Sequence, residues 1–260
     1  MRPLIKYEDN HLIVAVKPAG MLSQADGSGQ PDILTWIKAW LKEKYMKPGD
    51  VWLAPVHRLD RPVAGLMVLA KTSKAASRLS DQMRRGAVGK RYFAVIRGAL
   101  PAETGRLTDL LAKDKRTNMS RVVEAAEAER HAAKEARLRY RQLQTITEHS
   151  DGTQLSLLGV ELDTGRSHQI RVQLAARGCP IWGDRRYGQD CYGSPALISC
   201  GLSFRHPVRP ETMYFSLELP PSRPFSAFKP QLAELLFADY PPAEHHRSDW
   251  IYTLTDGELS

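Results

Sequence analysis

Cysteine is scarce in this chain: Cys179, Cys191 and Cys200 are odd in number and include no C-x-x-C pair, which argues against a disulfide framework and a zinc site. The three are expected to be reduced packing residues. Long apolar runs are missing too. No stretch approaches the about 18 consecutive apolar residues that cross a bilayer. The opening MRPLIKYEDNHLIVAV places acidic residues ahead of a short apolar run, with no small-residue cleavage site, unlike a secretory leader. A cytoplasmic protein without a membrane partner is expected. Neither the glycine signature of a dinucleotide-binding fold nor a P-loop occurs, so no nucleotide cofactor is indicated. Acidic residues are also in short supply, 29 against 37 Lys and Arg, leaving a formal charge of +8 and a pI near 9.4. That balance favours a polyanionic partner, nucleic acid first, although surplus cations also serve solubility alone.

What is present fits an ordered globular protein. The 260 residues are 42% hydrophobic and 25% charged, enough for one large core or two small ones. Residues 11–16 read as a short buried strand stopped by the Lys17-Pro18-Ala19-Gly20 turn. After Asp32 as N-cap, Ile33, Trp36, Ile37, Trp40 and Leu41 recur at helical spacing up to residue 45. The Trp pair reads as core rather than as a base-stacking platform. A strand is expected over 65–71, then a helix capped by Ser73 and closed by Gly86. KRYFAVIRG at 90–98 follows as a strand with Tyr92, Ala94 and Ile96 on one face.

The polar, basic stretch 107–121 shows no clear period and is expected to be a mobile loop. Richness in Ala and Glu predicts helix over 124–137. Strands are expected over 138–145 and 155–162, the second bulged at Gly159 where the apolar parity switches. A helix over 167–176 turns Ile170 and Leu174 to the core and ends before Gly178. A strand over 213–219 and a short helix over 231–239 complete the pattern. Helices and strands mix without strict alternation, so the expected class is α+β, a mainly antiparallel mixed central sheet flanked by helices.

The stretch HRLDRPVAGLMVLAKT, residues 57–72, sets Asp60 between Arg58 and Arg61 and runs into an apolar strand. Two nearby guanidinium groups favour the charged carboxylate. By itself such an arrangement is an ordinary surface ion pair of small worth. It does not stand by itself. With KRYFAVIRG, with TGRSHQIRVQLAARGCPIWGDRRYG at 164–188 and with VAVKPAGM at 14–21, it resembles, in order and spacing, the RluA-type family of RNA pseudouridine synthases. The likeness covers roughly residues 10–220.

That resemblance implies a cofactor-free isomerase with Asp60 as catalytic aspartate, Tyr92 stacked on the target uracil and accepting a late proton, and Arg171 paired with Asp60. It further implies a flipped-out uridine, with Arg58 a candidate to fill the gap left in the RNA. Phosphate contacts are expected from Arg61, Lys90, Arg91, Lys115, Arg116 and Arg121. His168 and Arg171, three apart, should share a helix face beside the substrate. The partner expected is rRNA or tRNA, the protein a monomer, and no metal is implied. Val63-Ala64 stands where the family has Thr-Ser, and Gln173 where it has His. No S4-like domain is expected ahead of residue 10, leaving one catalytic domain over 1–260 to grip the RNA. Two other readings stay open: an inactive paralogue that binds RNA or assists ribosome assembly, and a glycosidase pairing Asp60 with a second acid such as Asp184.

Overall fold

In the computed structural model, residues 2–148, 151–188 and 193–239 are described; Cys191 lies outside them. The backbone of the molecule is one eleven-stranded sheet. Its order is β1 (Leu4–Glu8), β2 (Leu12–Lys17), β4 (Ala64–Ala70), β10 (Leu197–Arg205), β5 (Gly89–Arg97), β9 (Gln154–Leu162), β8 (Lys134–Thr147), β6 (Thr104–Asp114), β7 (Met119–Val123). The short β3 (Ala54–Pro55) joins β4, and β11 (Thr212–Ser216) joins β10. Among these pairs only β10 with β4 is parallel, so the fold is the α+β, mainly antiparallel class.

Strands β2 and β4 are near-continuous apolar runs, LIVAVK and AGLMVLA, because both sheet faces are covered there. The helix α1 (Ile33–Lys44) buries Ile33, Ile37 and Leu41, with Asp32 accepting the Thr35 N–H at 2.9 Å. Trp40 packs partly buried against the same core. The helix α2 (Ser73–Arg84) buries Ala75, Leu79 and Gln82 and is capped by Thr72, one residue earlier than expected; its hydroxyl accepts the Ala75 N–H at 3.2 Å. Gly65 adopts φ +129°, and a Cβ there would meet Ser199 O at 2.3 Å. Only glycine lets β10 close against the start of β4 at this point.

Two segments expected as loop and helix are strand instead. Residues 107–121 are not a mobile loop but most of a hairpin: β6 and β7 pair from Leu110↔Val123 to Asp114↔Met119. The Asp114 side chain closes its turn, accepting from Arg116 N at 2.8 Å and Thr117 Oγ1 at 2.8 Å, an Asx turn that polar composition concealed. Residues 124–137 are not helical beyond one 3-10 turn, Ala125–Glu127. From Lys134 the chain is strand, with Ala136, Leu138 and Tyr140 buried between exposed or half-buried Glu135, Arg137, Arg139 and Arg141. That alternation of period two outweighs helix propensity.

The expected bulge at Gly159 is displaced. Strand β9 runs in register along β5, and the irregularity lies across from it, between Gln142 and Gln144 of β8. Gly159 is instead where the helix α4 (Leu232–Leu236) lands: a Cβ there would lie 2.7 Å from Leu236 Cδ1. Cys179 and Cys200 are buried free thiols, as packing residues should be. No helix among the described residues is long and apolar enough to cross a membrane.

Candidate active site

The loop entering β4 carries Asp60, and several buried groups hold it in place. Ser23 Oγ accepts the Leu59 N–H at 3.0 Å and donates to Leu59 O at 2.8 Å. The Val63 N–H donates to Asp60 O at 3.0 Å. His57 accepts the Val68 N–H on Nε2 at 3.0 Å, which requires an unprotonated nitrogen; burial, with Lys90 nearby, pushes this imidazole down to about 4.

Lys17 ends β2 fully buried, its Nζ donating to the carbonyls of Pro18 at 2.9 Å, Met21 at 2.7 Å and Arg61 at 3.1 Å. Burial draws the amine down to about 7 while Asp60 pulls the other way. Three carbonyl acceptors take three protons, so the geometry fits the charged ammonium.

Arg171 is the third residue of α3 (Gln169–Ala175) and is 3% exposed. Its Nη1 lies 3.3 Å from Asp60 Oδ2. The other edge of the guanidinium meets Asp184 in a two-pronged pair, Nε to Oδ2 and Nη2 to Oδ1, both 2.7 Å. Burial pulls the guanidinium down, but Asp184 and Asp60 together hold it above its ordinary value. Asp184 is itself fully buried and caps its own turn, accepting from Arg186 N at 3.0 Å and Tyr187 N at 3.2 Å. Before it, Gly183 at φ +76° allows an approach in which a Cβ would meet Ser194 O at 2.4 Å. Asp184 therefore cannot be the open second acid of a glycosidase. Its place is to aim Arg171 at Asp60.

His168 precedes α3 rather than lying within it, in the left-handed region at φ 55°, ψ 22°. It faces the site all the same: Nε2 is 3.8 Å from Asp60 Oδ2, and Nδ1 is 2.8 Å from the Tyr187 hydroxyl. Burial lowers its pKa; Asp60 opposes this, while Arg171, Arg186 and Lys113 reinforce it. Tyr187 also lies beneath Arg171, ring centroid to Cζ 5.2 Å. Its hydroxyl accepts the Ser120 N–H from β7 at 2.9 Å.

Tyr92 is paired across β5 with Ser199 of β10 beside a register shift at residues 199–201, a local re-aiming of the strand of the kind found near functional sites. It is 7% exposed. Burial raises its hydroxyl far above the ordinary range; Ser199 pulls it back and Asp60 adds to the rise. It is a neutral phenol at pH 7.

The expected partners of Asp60 change. Neither Arg58 nor Arg61 pairs with it: Arg61 binds Gly20 O at 2.9 Å and Gln30 Oε1 at 3.1 Å, and Arg58 is exposed with no polar partner among the described residues. The groups that face Asp60 are the Arg171 guanidinium and the His168 imidazole, which come from more than a hundred residues away. Arg91, expected on RNA, is buried and spent on Glu161 at 2.7 Å, Asp239 at 2.5 Å and Leu236 O at 2.6 Å.

Lys90 is half-buried, its pKa lowered by burial and partly restored by Asp163. Lys115 and Arg116 are exposed at the tip of the β6–β7 hairpin, and Arg121 is exposed with Glu127 at 3.8 Å. Tyr187, Ser120 and Lys17 received no role from sequence, and Asp184 only that of a second glycosidase acid; the only hint was an acid and a tyrosine within the otherwise basic GDRRYG. Gln173 is fully buried, donating to Asp109 Oδ2 at 2.6 Å, and Val63 is a core residue. Among the described residues, no group of three or more His, Cys, Asp or Glu is placed to hold a metal ion.

A family model described as RNA pseudouridylate synthase matches residues 11–176. Ribosomal large subunit pseudouridine synthase D of Xylella fastidiosa is 33% identical over 221 residues, covering 79% of this chain and 62% of that protein. Ribosomal large subunit pseudouridine synthase C of Buchnera aphidicola is 27% identical over 225 residues, covering 83% of this chain and 67% of that one. Among solved structures, human RNA pseudouridylate synthase domain containing 1 superposes with a TM-score of 0.69 at 21% identity, covering 91% of this chain and 95% of that one, a likeness of fold.

Proposed function

We propose, from the premise that this chain belongs to the RNA pseudouridylate synthase family, that it isomerises uridine to pseudouridine in a structured RNA with Asp60 as the reacting carboxylate. The observation that carries the reading is the aspartate's setting. Asp60 is held at one oxygen by a guanidinium that is itself locked by a buried acid, while 23% of its side chain stays open. An oriented, accessible carboxylate is what nucleophilic or basic attack on a nucleoside needs.

The chemistry balances without a redox partner. The bond from C1′ to N1 breaks, the uracil turns, C5 joins C1′, and the proton that leaves C5 is matched by one gained at N1. Arg171 keeps Asp60 oriented through these steps. Tyr92 supplies a ring for the extruded base. As a neutral phenol it takes a proton only while passing on its own, so its support for the late proton transfer runs through Ser199 or the substrate.

Exposed Arg58, beside Asp60 in sequence and without a polar partner, fits the role of filling the space left by the flipped base. Lys115, Arg116 and Arg121 on the β6–β7 hairpin fit phosphate contacts, as Ser120 of that hairpin ties it to Ser167 in the turn that leads into α3. Arg91 has no such role, and Arg61 contributes only beyond its bonds to Gly20 and Gln30. Two of the relatives are named for the ribosomal large subunit, which supports rRNA over tRNA as substrate. The test is tritium release from RNA carrying 5-tritiated uridine, followed by mapping pseudouridine in cellular RNA with and without the protein. Release and a lost site are expected; RNA binding with no release would transfer the protein to the reading of an inactive RNA-binding factor, and free uracil would restore the glycosidase.

A further inference from the structure

Asp60 is approached by two nitrogens, and the second is the less ordinary. His168 holds a left-handed backbone that is strained for a residue with a side chain, and such residues persist where the surroundings over-determine them. The surroundings here are explicit: Ser120 Oγ donates to Ser167 O at 2.8 Å, Tyr187 Oη lies 2.8 Å from Nδ1, and the two rings meet edge to face at 5.7 Å. This effort holds an imidazole 8% exposed with Nε2 toward the carboxylate.

Donor counting fixes its protons. The Tyr187 hydroxyl accepts the Ser120 N–H at 2.9 Å, and the only acceptor for its own hydrogen among the described residues is His168 Nδ1. An Nδ1–H would leave that phenolic hydrogen facing another donor. Nδ1 is therefore bare and the proton is on Nε2, 3.8 Å from Asp60 Oδ2. Burial, with Arg171, Arg186 and Lys113 around the ring, keeps it from taking a second proton, against the pull of Asp60. Resting on the reading above, we infer that His168 is a positioning residue whose neutral Nε2–H, oriented by the Ser120–Tyr187 chain, faces Asp60 Oδ2 from 3.8 Å beside Arg171, longer than a hydrogen bond at rest, and biases Oδ1 to be the oxygen that meets the nucleoside.

A neutral donor suits this task. It orients the carboxylate without a second full charge, which would damp the basicity that attack needs. The wrong tautomer would set a lone pair against Oδ2 and turn the carboxylate away.

The test uses the full chain. In Tyr187→Phe the tautomer is no longer fixed, and kcat for tritium release should fall roughly tenfold with KM for RNA within about twofold. In His168→Leu there is no nitrogen left for Tyr187 to orient, so adding Tyr187→Phe to it should cost no further kcat. Equal losses in both backgrounds would mean that Tyr187 only packs, and would overturn the inference. Because variants can also fail by unfolding, and because the substrate reading can fail separately, the tautomer is read directly in the wild type. Two-bond proton–nitrogen correlation in ¹⁵N-histidine-labelled protein at pH 7 should show His168 protonated at Nε2 alone. Protonation at Nδ1 overturns the inference whatever the activity, whereas Nε2–H with no turnover would reject only the isomerase.

Discussion

Asp184→Asn is the substitution whose consequence follows most directly from the structure. The side chain keeps its size and one acceptor, but the charge opposite Arg171 disappears from a site where both partners are buried, at 0% and 3% exposure. Removing one member of a buried pair costs about 3–5 kcal/mol, because the other charge is left without its counterion. Here Asp60 remains 3.3 Å from Arg171 Nη1 and the asparagine oxygen still accepts, which places the loss near the lower end, about 3 kcal/mol. For a chain of this size that lowers Tm by about 6–12 °C. Activity should fall further than stability. A guanidinium released from Asp184 closes on Asp60 and over-pairs it, so kcat drops while KM for RNA stays. Urea unfolding followed by circular dichroism gives the first number, and tritium release at 25 °C, where the variant is still folded, gives the second. Stability within 0.5 kcal/mol of wild type together with full kcat would refute the argument that Asp184 aims Arg171.

Other outcomes follow from the same geometry. His57 carries a folded pKa of about 4, below its ordinary value, so the unfolded chain binds the extra proton first. The stability from its neutral form is complete above pH 6.5 and is lost as pH falls toward 4, by about 3 kcal/mol; His57→Gln should flatten that part of a pH–stability profile measured by urea titration. Lys17→Met leaves three carbonyls without their shared donor and should cost about 3 kcal/mol in the same titration, while loosening the Asp60 loop enough to remove turnover. Replacing Lys115 and Arg116 by Ala should weaken RNA binding at all sequences and reduce the slope of log affinity against log salt by about 1.5, measured by filter binding; an unchanged slope would remove the hairpin tip from the RNA surface.

The parts of the fold legible in the sequence were those with one unambiguous signal. Asp32 and the Ile33, Ile37, Leu41 stripe marked α1, and the doubly buried runs marked β2 and β4, since local chemistry alone decides them. Residues 124–137 carried two signals, Ala and Glu content against a period of two from Lys134, and the packing of Ala136, Leu138 and Tyr140 decided for strand. At the site, the motifs singled out Asp60, Tyr92 and Arg171, of which the structure brings Arg171 to Asp60 across 111 residues. Their supports were not legible. Nothing in GDRRYG says that its Asp clamps an arginine thirteen residues earlier or that its Tyr steers a histidine nineteen residues earlier. Arg91 was misjudged for the same reason: its partner Asp239 lies 148 positions on. A charge read alone cannot be told from one already neutralised by a distant residue.

The account stands most directly on Asp60→Asn, assayed at once for unfolding temperature, RNA affinity and pseudouridine formation. Arg171 keeps Asp184 in that variant, so folding and binding should stay within about 1 kcal/mol of wild type while tritium release disappears. Pseudouridine still formed by a folded, RNA-bound Asp60→Asn protein would contradict the assignment of the reacting carboxylate.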